Sequence, residues 1–195
     1  MRYLLLIFLA LVWGCSSKQV KEEHASGLHI TEIHPNRESA LMKQNVLQLA
    51  QVYDLGPFLY TKVIHITPKG VNQSHPVLTL NVEHSAQPYK ILSVFLHEEF
   101  HWLVSMYPKN LNQSIVQLKN IFPNQQKQVY IHIVVCYLEY KALRMYLGEK
   151  LARKIILDFV RREKLRPWVY TQVLTKNQLI GKLLKKNGLI PKILL

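Results

Sequence analysis

Cysteine is scarce in this chain of 195 residues: Cys15 and Cys136 are the two it contains. Two thiols allow at most one disulfide, so a disulfide-stapled scaffold is excluded and the fold must rest on a packed core. Acidic residues are also few, 12 against 25 Lys and Arg, giving a formal net charge of +13. Long apolar runs are missing. The run Tyr3–Val12 is only about ten residues, too short to span a bilayer. No internal repeat or low-complexity tract appears, which excludes solenoids and arrays. With 49% hydrophobic residues, what remains after the N-terminus is enough for one globular core.

The N-terminus reads as an export signal. Arg2 precedes the apolar run, and Trp13-Gly14-Cys15-Ser16-Ser17 follows it; this order is that of a signal peptide over 1–14. Val12-Trp13-Gly14-Cys15 resembles a bacterial lipobox, although Trp13 departs from the usual small or aliphatic residue. The resemblance implies that Cys15 is acylated and becomes the first residue of a membrane-anchored lipoprotein. It also implies, in a host with two membranes, the outer membrane facing the periplasm, since Ser16 rather than Asp follows the Cys. Cys136 is then left without a disulfide partner and is read mainly as core packing. Residues 15–40 read as the lipidated Cys and a polar tether, and folding is expected to begin near Leu41.

The densest chemistry lies at His97-Glu98-Glu99-Phe100-His101, an H-E-x-x-H motif within the apolar stretch Ile91–Val104. Residues four apart share a helix face, so His97 and His101 converge on one point and Glu98 can reach a water held there. Burying two imidazoles and two carboxylates in such a helix is costly unless they pair or hold a metal. Glu99, about 200° around the helix from His97, faces away and is expected to be a structural ion-pair partner. A catalytic zinc needs a third protein ligand and an open position. Val104 and Tyr107 stand where a metzincin would carry Gly and His, so that subclass is excluded. Glu139, in the apolar segment Val129–Leu143, is the favoured third ligand. His132, two turns earlier on the same face, is the alternative, or a group supporting the site from behind.

His97, Glu98, His101 and Glu139 together resemble the gluzincin type of zincin metallopeptidase, over about residues 60–145. The resemblance implies one catalytic Zn2+ held by His97, His101 and Glu139, with Glu98 as general base and a downstream Tyr or His stabilising the oxyanion. Tyr170 is the first choice for that donor, with Tyr137 and Tyr140 behind it. Leu143 stands where many members carry an Asp that braces a motif histidine, so the bracing here must differ.

Two strand-like runs precede the motif, Leu59–Ile66 and His75–Val82, with Thr67–Gly70 reading as a turn. Val77, Thr79 and Asn81 are expected on an edge strand that could pair with a substrate backbone. The expected fold is α+β: a small mixed or antiparallel sheet packed on the motif helix, then a mainly helical C-terminal part, within one domain over 41–195. Helix stops are read at Arg166-Pro167 and Asn187-Gly188. Basic residues crowd the C-terminal third, at Lys150, Arg153, Lys154, Arg161, Arg162, Lys164, Arg166, Lys182, Lys185 and Lys186. They suggest attraction to anionic lipid or an envelope polymer. No nucleic-acid motif interleaves them. The expectation is a monomeric, membrane-anchored zinc metallopeptidase acting on peptide or protein outside the cytoplasm. Two alternatives stand beside it: an inactive zincin-like scaffold, and a basic envelope lipoprotein with a fortuitous motif.

Overall fold

The computed structural model describes residues 27–162 and 166–195, without the side chain of Arg162. The expected signal peptide, Cys15 and the tether as far as residue 26 lie outside the described residues, as does Lys164.

The first element is strand β1 (His29–Glu32), which tucks Ile30 inward next to the fully buried Leu28. The fold therefore begins near Leu28 rather than near Leu41. Two apolar residues amid polar ones gave no periodic signal, and only pairing with a later strand makes them core. Helix α1 (Arg37–Val52) starts at Asn36, whose side chain accepts from the Ser39 amide while the Ser39 hydroxyl accepts from the Asn36 amide, each at 2.8 Å. This reciprocal cap satisfies two amides that the first helical turn cannot.

Strands β2 (Val63–Thr67) and β3 (Leu78–Asn81) complete a sheet of order β1-β2-β3. Both pairings are parallel, with Ile30 opposite Ile64, Ile64 opposite Leu78 and Ile66 opposite Leu80. The architecture is α+β with a mainly helical C-terminal part, and the small sheet is parallel, not mixed or antiparallel. The turn at Thr67–Gly70 does reverse the chain. It returns only as far as Gln73, which bridges Thr79 in antiparallel sense, so the chain turns twice and β3 runs with β2. Ile30, Ile64, Ile66, Leu78 and Leu80 face the core, and Val63 on the opposite side is open to solvent.

From β3 the chain enters α2 (Pro88–Met106), which has Pro in its first turn, where no amide is needed. Ile91, Leu92, Phe95, Leu96, Phe100, Leu103 and Val104 bury its length. Helix α3 (Pro108–Ile121) turns back into the long α4 (Lys127–Arg162), which packs along α2. The helical path of α4 breaks at Gly148, with φ 75° and ψ 162°. Helices α5 (Pro167–Thr175) and α6 (Asn177–Lys186) close the other side, α5 lying against α4. Both start or end where the sequence placed its stops. No helix among the described residues is long and apolar enough to cross a membrane.

Candidate metal centre

The site forms where α2 and α4 lie side by side and α5 covers them. His97 and Glu98 of α2, Glu139 of α4 and Tyr170 of α5 are all buried. Glu139 is the hub: its Oε1 accepts from the Ser93 hydroxyl at 2.5 Å, and its Oε2 accepts from His97 Nδ1 at 2.8 Å and from the Tyr170 hydroxyl at 3.0 Å. Burial pushes the Glu139 carboxyl up to about 7, against the pull of these donors. Burial, with the Arg166 charge second, holds His97 well below the usual imidazole range. The close His97–Glu139 contact therefore does not join two full charges: the imidazole is neutral, and since the Arg166 guanidinium can only donate to its Nε2, Nδ1 is the nitrogen that donates to Glu139. The tautomer follows: Nδ1 carries the proton and Nε2 offers its lone pair. An Arg166 guanidinium N–H donates to that Nε2.

His132 is fixed in the same sense. Its Nδ1 donates to the carbonyl of Gln128 at 2.9 Å, one turn back on α4, leaving Nε2 free. The rings of His97, His101 and His132 stand 5.0, 5.9 and 5.1 Å apart between centroids. One nitrogen from each lies within 4.8 Å of the other two. Burial, reinforced by the other histidines, pushes His101 down to about 2, and burial lowers His132 as well. All three are neutral, the form that binds metals.

Two groups of side chains here could hold a metal ion: His97, His101 and His132, or His97, Cys136 and Glu139. His97 and His101 belong to the first group with His132, and Glu139 falls in the second. The reason is the level at which each residue meets α2. Glu139 sits beside Ser93 and the Nδ1 side of His97, while His132, two turns away, reaches the ring of His101. A tetrahedral zinc with bonds of about 2.0–2.1 Å sets its ligand atoms roughly 3.4 Å apart. The histidine trio, whose nitrogens lie within 4.8 Å of one another, would reach that spacing by closing in by up to about 1.4 Å. Cys136 fits less well, because burial raises its thiol well above the usual range and the thiolate is the ligand form.

Glu98 is 5% exposed and lines a cavity of about 290 Å3 with His97, Arg166, Tyr170, Asn72 and Asn81. Burial pushes its carboxyl up to about 7. The other expected residues fall elsewhere. Tyr170 is in the site, but its hydroxyl is committed to Glu139. Tyr140 donates to Glu149 at 2.5 Å, and the Tyr137 hydroxyl lies against Gly181 of α6. Glu99 makes no ion pair among the described residues; its Oε2 accepts from the Tyr60 and Thr61 amides at 2.8 and 3.1 Å. The outer side of β3 is engaged by its own loop. The Thr79 amide and carbonyl pair with Gln73, and the Asn81 amide donates to Asn72, so Thr79 and Asn81 do not present an open edge and Val77 lies just outside the strand.

Ser93 and Arg166 were not read from the sequence as site residues. Ser93 had a signal, standing four residues before His97 on the same helix face. Arg166 had none, because it is counted with the basic tail until α5 folds back over the motif. No family model, curated protein or solved structure matches the chain.

Proposed function

We propose that the chain is a zinc-dependent hydrolase of peptide bonds, with His97, His101 and His132 as ligands, Glu98 as general base and Glu139 bracing His97. The observation that carries this reading is the convergence of three neutral histidines, two with Nδ1–H fixed by an acceptor so that Nε2 carries the lone pair, which His132 leaves open and His97 shares with Arg166. Carboxylate-braced imidazoles of this kind are a recurrent feature of metal sites. Zinc bound there would supply a water acidified toward pH 7 and a polarised carbonyl.

The protein side of the reaction follows from the side chains. Glu98 lies next to His97 and faces the same cavity, with a carboxyl poised near neutrality, so it can take a proton from water and return it to the leaving amine. The gluzincin likeness implied Glu139 as third ligand. The favoured ligand here is His132, because Glu139 spends its oxygens on Ser93, His97 and Tyr170. Anchoring by lipid at Cys15 and action outside the cytoplasm belong to this proposal on the strength of the N-terminal sequence.

A second reading is supported by the same contacts. Ser93, His97, Glu139, Tyr170 and Arg166 satisfy one another without any ion, as a polar core network would in an inactive scaffold or a basic envelope lipoprotein. Elemental mass spectrometry of the purified chain separates the two. Near one zinc per wild-type chain, near none in His97→Ala and His132→Ala, and retention in Glu98→Gln are expected. With a mixed fluorogenic peptide library, Glu98→Gln should lose about 10²–10⁴-fold in hydrolysis. Absence of zinc from wild type after reconstitution would establish the second reading.

A further inference from the structure

Arg166 ends at the centre of the site although it enters from its edge. It is the residue before Pro167 at the start of α5, partly buried, and its guanidinium reaches between α2 and α4 to His97 Nε2. Among the described residues it forms no ion pair with a carboxylate. A guanidinium has five N–H donors in a fixed fork, and contacts to the His97 imidazole and the Cys136 thiol leave others for the cavity that Arg166 lines with Glu98.

Two facts narrow what those donors serve. The contact with His97 cannot coexist with a metal on Nε2, because one lone pair serves one partner and two cations repel. With the ion present, the guanidinium must turn into the cavity. The three tyrosines considered for a developing negative charge are placed otherwise: Tyr170 and Tyr140 are bonded to Glu139 and Glu149, the Tyr137 hydroxyl lies against Gly181, and neither Tyr137 nor Tyr140 lines the cavity.

We infer that Arg166 is the oxyanion-holding catalytic residue, its guanidinium N–H donating to the scissile carbonyl oxygen as that oxygen becomes negative. This rests on the hydrolase reading above. In the step, Glu98 removes one proton from water, and the water oxygen bonds to the carbonyl carbon. The carbonyl π pair moves to the oxygen that Arg166 holds. That pair then re-forms the carbonyl as the C–N bond breaks, and the nitrogen leaves with the bond pair and takes the proton from Glu98. A permanent cation lining the cavity suits this role, because charge there is less screened than in open water.

The test needs no substrate. Cobalt(II) is loaded into the full chain, and methylphosphonate, a small tetrahedral anion, is titrated against the visible cobalt bands of wild type, Arg166→Ala, Arg166→Lys and Tyr170→Phe. Acetohydroxamate, which binds a metal through its own two oxygens, serves as control. One charge-assisted hydrogen bond predicts methylphosphonate affinity roughly tenfold to a hundredfold weaker in Arg166→Ala and partly restored in Arg166→Lys. Tyr170→Phe should stay near wild type, and cobalt content and acetohydroxamate affinity should be kept throughout. Equal methylphosphonate affinity in wild type and Arg166→Ala, or no binding to either, overturns the inference and leaves the metal site standing. Loss of cobalt from both Arg166→Ala and Arg166→Lys overturns it as well, by making Arg166 a support for His97. No specific cobalt spectrum in wild type removes the hydrolase reading and this inference with it.

Discussion

Single residues here take their roles from what their second polar atom meets. His97 and His132 are alike as side chains, and each has Nδ1–H fixed by an oxygen, Glu139 for one and the Gln128 carbonyl for the other. That second contact leaves the lone pair on Nε2, and in the proposed site it makes Nε2 the ligand atom and Glu139 a brace behind the His97 ring. Glu139→Gln should keep the fold and still bind zinc, with affinity about 10–100-fold weaker, measured by competition with a chromogenic chelator. Complete loss of zinc, matching His132→Ala, would instead make Glu139 a direct ligand. Glu99, next to Glu98, shows how little distance along the chain matters. It faces the β2 side and holds the Tyr60 and Thr61 amides, a role that no spacing rule announces.

At the scale of elements, the site depends on how α2, α4 and α5 are brought together, and Gly148 controls part of that. Its φ of 75° and ψ of 162° lie in a region essentially reserved for glycine. Beyond it, Glu149 accepts from the Tyr140 hydroxyl and pairs with Arg144, fastening the second arm of α4 to the first. Gly148→Ala should cost about 2 kcal/mol of stability, read as a lower midpoint in urea with unchanged slope. No Cβ clash stands in the way, so the cost is conformational. An unchanged midpoint would mean that the corner relaxes into a helical turn. The sheet teaches a related lesson. The strand runs were legible from Val, Ile, Leu and Thr content, but their direction depends on a loop that returns only to Gln73.

Across the whole molecule the excess positive charge divides into separate sets. Arg166 is drawn into the candidate site, against His97. Lys150, Arg153, Lys154 and Arg161 instead border a groove of about 600 Å3, together with Lys90 from the start of α2. Lys90 is held by Asp158 at 2.5 Å and stands 5.8 Å from the Phe159 ring centroid. A groove with a basic rim and apolar residues Pro88, Tyr89, Leu151 and Ile155 is suited to anionic headgroups. In a Cys15→Ser chain, adding Lys154→Glu and Arg161→Glu should weaken binding to phosphatidylglycerol vesicles severalfold at low salt. The scale is about 1 kcal/mol per basic residue near the surface, and binding to neutral vesicles should not change. Equal binding to anionic vesicles before and after the reversals would leave the charge as ordinary surface solvation.

The sequence by itself determined the helical pairing of His97 with His101, the place of Glu98 beside them, the apolar character of α2 and α4, and the α+β class. These are consequences of local periodicity, and a helix turn of 3.6 residues brings i and i+4 together whatever surrounds them. The tertiary structure decided the rest: the start of the fold at Leu28, the parallel sheet, His132 rather than Glu139 beside His101, Tyr170 turned to Glu139, and Arg166 at His97. Each depends on the level at which one helix meets another or the path a loop takes back. Those are set by packing the whole core at once, and contacts made across it leave no periodic trace in the chain.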